Sequence, residues 1–104
     1  MYNIFALPRE IDREEVLETI LLSQGLRIER IVSAGQVSPE GFWYDQDKQE
    51  WVVLLQGEAG LEWADGRKQK LAAGDCLLLQ AHEKHRVEYT SKQPPCIWLA
   101  VHFE

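Results

Sequence analysis

Cysteine is scarce in this chain. Cys76 and Cys96 are its whole supply, too few for a disulfide framework. The expectation is a cytoplasmic protein with both thiols reduced, although their places near predicted strand ends leave one bridge open. Basic charge is also short: 11 Lys and Arg stand against 17 Asp and Glu, for a formal net charge of −6. That balance argues against nucleic acid or an anionic membrane as partner, and basic residues are not interleaved with aromatics as in strand-binding grooves. No apolar run is long enough to span a bilayer. The opening MYNIFALPREIDREEV has neither the basic start nor the apolar core of a signal peptide. No glycine-rich phosphate loop precedes a helix, and no Ser or Cys sits in a nucleophile elbow. Cys76 is followed by three leucines, which reads as a buried, unreactive thiol. Repeats, low-complexity segments and linkers are missing as well.

What is present suits one domain. The chain has 104 residues, 45% hydrophobic and 27% charged, an ordinary globular balance. Pro8 to Leu22 carries the only helix-like pattern, with Asp12 as a cap, Glu15 three positions on, and Val16, Ile20 and Leu21 roughly on one face. The run is short, and part of it also reads as a strand. From Leu26 onward the pattern is β: Leu26 to Ser33, Phe42 to Tyr44, Trp51 to Leu55, Leu61 to Trp63, Lys68 to Leu71, Leu77 to Gln80, His85 to Thr90 and Ile97 to Phe103. Asp65-Gly66 is a strong hairpin turn. Short strands punctuated by regular turns predict an all-β antiparallel sandwich or barrel, with an N-terminal arm over about residues 1–25 and the barrel over about 26–104.

Two segments carry the chemistry. EWVVLLQG, Glu50 to Gly57, and GDCLLLQAHEKHRVEY, Gly74 to Tyr89, each place a metal-capable side chain at the edge of an apolar strand. Side chains alternate along a strand, so Glu50, Val52 and Leu54 share one face and Trp51, Val53 and Leu55 the other. Both faces are largely apolar, which predicts cover on both sides. A second subunit would supply one cover, giving a homodimer; the alternative is that the N-terminal segment supplies it.

These segments resemble the motifs of the cupin superfamily of double-stranded β-helix, or jelly-roll, barrels. The first cupin motif is His-x-His, three or four residues, Glu, six residues and Gly; Glu50 and Gly57 match its second half. The second runs from Gly through Pro-x-Gly to His and Asn; Gly74 and His85 match, and the Gly57–Gly74 interval is of cupin type. The likeness covers Ser33 to Phe103. The His-x-His positions hold Trp43 and Asp45, or Tyr44 and Gln46, and the second motif has Gln80, His82 and Tyr89 in place of Pro, Gly and Asn. The usual three-His, one-Glu centre is therefore not available. What the resemblance implies instead is a divalent metal (Zn, Fe, Mn or Ni) on Glu50 and His85, with Asp45 and His82 as further ligands or acid–base groups. Without metal, His85 and Glu50 would be a hydrogen-bonded pair at the core edge.

Tyr44 and Tyr89 are the candidates to line an apolar ligand pocket at the barrel mouth, Tyr89 because it falls on the same strand face as His85 and Val87. The remaining rings are expected to pack the barrel. On the last strand, Ile97, Leu99, Val101 and Phe103 look like the core face. That sends His102 outward with Trp98; reversed faces would bring it into the cavity. Two functions follow: a small metal-dependent enzyme acting on an unknown small molecule, or a non-catalytic ligand-binding or sensor module with no native metal. Cupin folds host both.

Overall fold

Alternating apolar and polar residues, broken by glycine turns, give eight strands and no helix. A computed structural model describes all of residues 1–104. The strands are β1 (Val16–Ser23), β2 (Leu26–Ser33), β3 (Gln49–Gln56), β4 (Glu58–Trp63), β5 (Lys68–Ala72), β6 (Cys76–Leu79), β7 (His85–Thr90) and β8 (Cys96–Phe103). They form a five-stranded sheet, β1-β2-β8-β3-β6, facing a three-stranded sheet, β5-β4-β7, with every pairing antiparallel. No helix is long and apolar enough to cross a membrane.

The expected N-terminal helix is not formed. Val16–Ser23 is an edge strand, paired from Val16↔Val32 to Ser23↔Leu26 with a bulge at Ile20. A helix this short is marginal on its own. The open edge of β2 offers a full ladder, and β-branched Val16, Thr19 and Ile20 suit it. Phe42–Tyr44 is likewise not a strand; only Tyr44 bridges to His85. The Asp65-Gly66 turn closes the β4–β5 hairpin as expected, with Gly66 at φ 97°.

Between the sheets lies the core, where Val52, Leu54, Ala59, Leu61, Trp63, Leu71, Leu79, Cys96, Trp98 and Ala100 form one buried cluster. Directly opposed residues share a face, so β8 contributes Cys96, Trp98, Ala100 and His102 inward. The expected order is therefore reversed: Leu99, Val101 and Phe103 are only half-buried, and His102 is inside. Cys76 is also corrected. It opposes Val53 on the outer face and is exposed, while Cys96 is buried; both thiols are free.

The outer face of the larger sheet carries an apolar row. Leu21, Ile28, Val101, Trp51 and Leu78 are successive register partners, one row across all five strands. At one end of this face the N-terminal arm lies over β2. The Arg30 guanidinium donates to the carbonyls of Ile4 (3.0 Å) and Ala6 (2.5 Å), pairs with Glu18, and stacks on the Tyr2 ring. The row itself keeps Leu21, Trp51 and Leu78 exposed.

Candidate functional site

Beside the apolar core, polar side chains replace core residues between the sheets. Glu50, the second residue of β3, lies on the inner face, opposed by His102 of β8 and Leu79 of β6. Glu29 enters from β2 and His85 from β7. With Tyr44, Gln46 and Glu15 they line a cavity of about 630 Å³, counting space open at its mouth. The room open to the centre of a water molecule is about 100 Å³. One water needs roughly 10–15 Å³ on that measure, so a small molecule fits and a large one does not. Val52, Leu61, Leu79, Val87 and Trp98 make an apolar floor.

His85 is 6% exposed. Its Nδ1 lies 2.7 Å from the Glu83 carbonyl oxygen. A carbonyl only accepts, so Nδ1 carries the hydrogen and Nε2 of the neutral ring keeps its lone pair. No protein group bonds Nε2. Tyr44 holds the ring in place: the two backbones exchange hydrogen bonds at 2.7 and 3.2 Å, and the rings stack at 5.3 Å and 23°.

Glu50 is 7% exposed and belongs to no ion pair. Burial pushes its carboxyl above the usual range; His102, His85 and a Gln46 hydrogen bond oppose that shift, and Glu29 adds to it. Glu29 behaves in the opposite way. His102 Nε2 lies 2.7 Å from its Oε1 with both groups buried, and Arg27 reaches its Oε2 at 3.5 Å. The hydrogen bond from His102 holds Glu29 below the carboxylate range against the cost of burial. Burial, followed by Glu15, Glu50 and Glu29, raises the Tyr44 phenol against a hydrogen bond with Ser38.

The proposed ligand set is thus divided. Glu50 and His85 share the cavity. Asp45 and His82 do not reach it: they pair with each other at 2.7 Å, with the His82 side chain 67% exposed. His82 sits in a turn at φ 62°, its N–H donating to the Gln46 carbonyl at 2.6 Å, and this turn directs the ring outward. Of the two tyrosines, Tyr44 lines the cavity and Tyr89 does not. The β4–β7 ladder passes from Gly60↔Tyr89 to Leu61↔Val87, leaving Glu88 unpaired. That bulge flips the alternation, and Tyr89 is 51% exposed on the other side.

Sequence reasoning did not place Glu15, Glu29 or His102 here. The available signal was Glu29 interrupting an Ile- and Val-rich strand in alternation with Ile31 and Ser33. As for metal, no three His, Cys, Asp or Glu side chains converge where they could hold one ion. His102 is the nearest further imidazole in register with Glu50, and its Nε2 is engaged by Glu29. The protein donors as arranged do not make a three-ligand centre; Glu50 and His85 are the pair left to hold a metal.

Residues 30–102 match the family model described as a cupin domain. This chain is a cupin. A Ralstonia eutropha protein, provisionally assigned as a mannose-6-phosphate isomerase, superposes with TM-score 0.92 at 42% identity over 100% of this cupin and 97% of that chain. A cupin superfamily protein from Desulfitobacterium hafniense follows with TM-score 0.76 and 21% identity over 94% and 83% of the two chains. An RmlC-like cupin from Desulfovibrio desulfuricans gives TM-score 0.77 and 18% identity over 98% and 94%. The last two share the fold alone. No curated protein sequence matches this cupin.

Proposed function

We propose that this cupin binds a small organic molecule in its barrel cavity, where His85 and Glu50 contact it and exchange a proton with it. The observation that carries this reading is the His85 ring. Its Nδ1 is fixed on the Glu83 carbonyl while Nε2 stands unpartnered in the cavity. An oriented imidazole with a free nitrogen is a general base. Glu50, whose carboxyl burial pushes above the usual range, is the second group placed to exchange a proton. Chemistry of this class would be an isomerisation or elimination through proton transfer.

The test follows the His85 ring nitrogens and amide shifts by NMR while a fragment mixture is added. Fragments that shift cavity residues should also shift His85 Nε2. Fragments that occupy the cavity and leave His85 and Glu50 unmoved would remove both from the site.

A second reading keeps a divalent metal (Zn, Fe, Mn or Ni) on Glu50 and His85, favoured by the His85 tautomer, since metal-binding histidines commonly donate their other N–H to a carbonyl. Metal analysis of untagged protein beside His85→Ala decides it. One equivalent that is lost in the variant would establish the metal; none in either sample favours the acid–base pocket.

We also propose that the apolar row Leu21–Ile28–Val101–Trp51–Leu78 meets the same row of a second copy. An uncharged band across a chain of net charge −6 is a self-complementary surface.

A further inference from the structure

We infer that the cavity takes a small organic ammonium ion, a primary amine on a short apolar body, with its charge seated at Glu50. The inference rests on the small-molecule reading above and names the ligand class.

Every ionisable wall group is a carboxyl, an imidazole or a phenol; no Lys or Arg lines the cavity. The neighbouring cations are engaged elsewhere. Arg27 pairs with Glu29, Arg30 with Glu18 on the outer face, and Arg86 with Glu62 at 3.1 Å and with the Ser38 carbonyl at 2.8 Å. Arg13 lines an adjoining cleft, where Glu14 and Glu15 stand with it. A phosphate or carboxylate ligand would therefore enter without a cation to receive it. The all-β fold also supplies no helix N-terminus to take an anion's place there.

The acidic groups are not equivalent. Glu29 has its partners in His102 and Arg27; Glu50 has no cation although it is more than nine-tenths buried. An ionised carboxylate in that position is costly unless it is paired. A ligand cation would supply the missing charge. A second, independent feature points the same way. The His85 side chain, also more than nine-tenths buried, lines the cavity with its Nε2 unpartnered, and an ammonium group offers three donors for it and Glu50 to share. Tyr44 and Trp98 present aromatic surface to the same space, which favours a cation further. The apolar floor accepts a short alkyl body, and the cavity volume limits its length.

The experiment compares n-butylammonium, n-butanol and n-butyrate, equal in length and different in charge, by amide-shift titration of the full chain at pH 7.5. The ammonium ion should bind roughly tenfold more tightly than the alcohol, a ratio equivalent to about 1.4 kcal/mol, and butyrate should not saturate. In Glu50→Gln the ammonium advantage should fall to within about twofold while butanol binding is kept. Should that variant fold poorly, raising sodium chloride from low to high concentration on the native chain gives the same information, weakening the ammonium ion and sparing the alcohol. Butyrate binding as tightly as ammonium, or an ammonium advantage indifferent to both Glu50→Gln and salt, overturns the inference. If butanol perturbs His85 and charge makes no difference, the ligand class falls and the binding reading stands. If none of the three reaches the cavity, both fall.

Discussion

Glu29 and His102 meet diagonally across the β2–β8 ladder, Oε1 to Nε2 at 2.7 Å, each buried and each two residues from the other's register partner. An ionised carboxylate only accepts, so His102 donates. The folded-state pKa of Glu29 is lowered, so its contribution to stability is present above its unfolded value near 4.5 and is lost as pH falls through the folded value. Glu29→Gln should lower the melting temperature at pH 7, by an amount corresponding to about 1–3 kcal/mol. The gap from native protein should narrow as pH drops below about 4. Thermal melts across pH check both the sign and the window.

Glu50 has the opposite sign. Its folded-state pKa is raised, chiefly by burial. The protonated form therefore stabilises the fold below the unfolded value, and that contribution is lost as pH rises through the folded one. Above that value the buried charge opposes folding. Glu50→Gln should melt higher than native protein at pH 7–8, with the difference closing toward about pH 4. For a domain of this size each kcal/mol corresponds to about 4–8 °C. A variant that gains stability and loses ammonium binding would mark Glu50 as a group kept for function. Equal melts at every pH would contradict the burial argument.

How far the sequence reads depends on where its patterns are one-sided. His85–Thr90 and the Asp65-Gly66 hairpin were legible because β-branched runs and turn residues agree there. Glu50, Gly57, Gly74 and His85 were legible through their spacing. The inward face of β8 was not. Cys96, Trp98, Ala100 and His102 alternate with Ile97, Leu99, Val101 and Phe103, and both sets are largely apolar because the outer face of the sheet carries an apolar row as well. Period 2 then says that faces alternate without saying which is inside. The bulge at Glu88 leaves no mark in composition, so Tyr89 was assigned to the wrong side of it. Val16–Ser23 fits a helix locally and becomes a strand because β2 has a free edge for it.

Gly57 and Gly66 make a controlled pair for backbone strain. Both are left-handed, at φ 92° and 97°. An added Cβ at Gly66 meets nothing within 4 Å, whereas at Gly57 it would lie 2.8 Å from Ser91 Oγ and 3.0 Å from Cys96 Cα. Either alanine bears the conformational cost, about 1–2 kcal/mol. Only Gly57→Ala must also displace the backbone of β8 where the chain leaves the Ser91 loop. Chemical denaturation should show Gly57→Ala losing more than Gly66→Ala by at least about 1 kcal/mol. Equal losses would mean that the close approach at Gly57 is relieved without cost.

The outer face gives the last prediction. Trp51 and Leu78 are neighbours in the five-strand row and both are exposed, while the N-terminal arm lies over Arg30, on another row of the same face. The arm therefore does not replace a second subunit over the Trp51–Leu78 end. Light scattering on a sizing column should report a dimer for the native chain. It should report a folded monomer for Trp51→Glu with Leu78→Glu, because like charges directly opposed across a closing two-fold interface are not tolerated. The cavity opens on the opposite face of this sheet, so the monomeric variant should keep its n-butylammonium affinity. A native monomer would assign the row to some other contact, and loss of ligand binding in a folded monomer would mean that the two faces are coupled through β3 and β8.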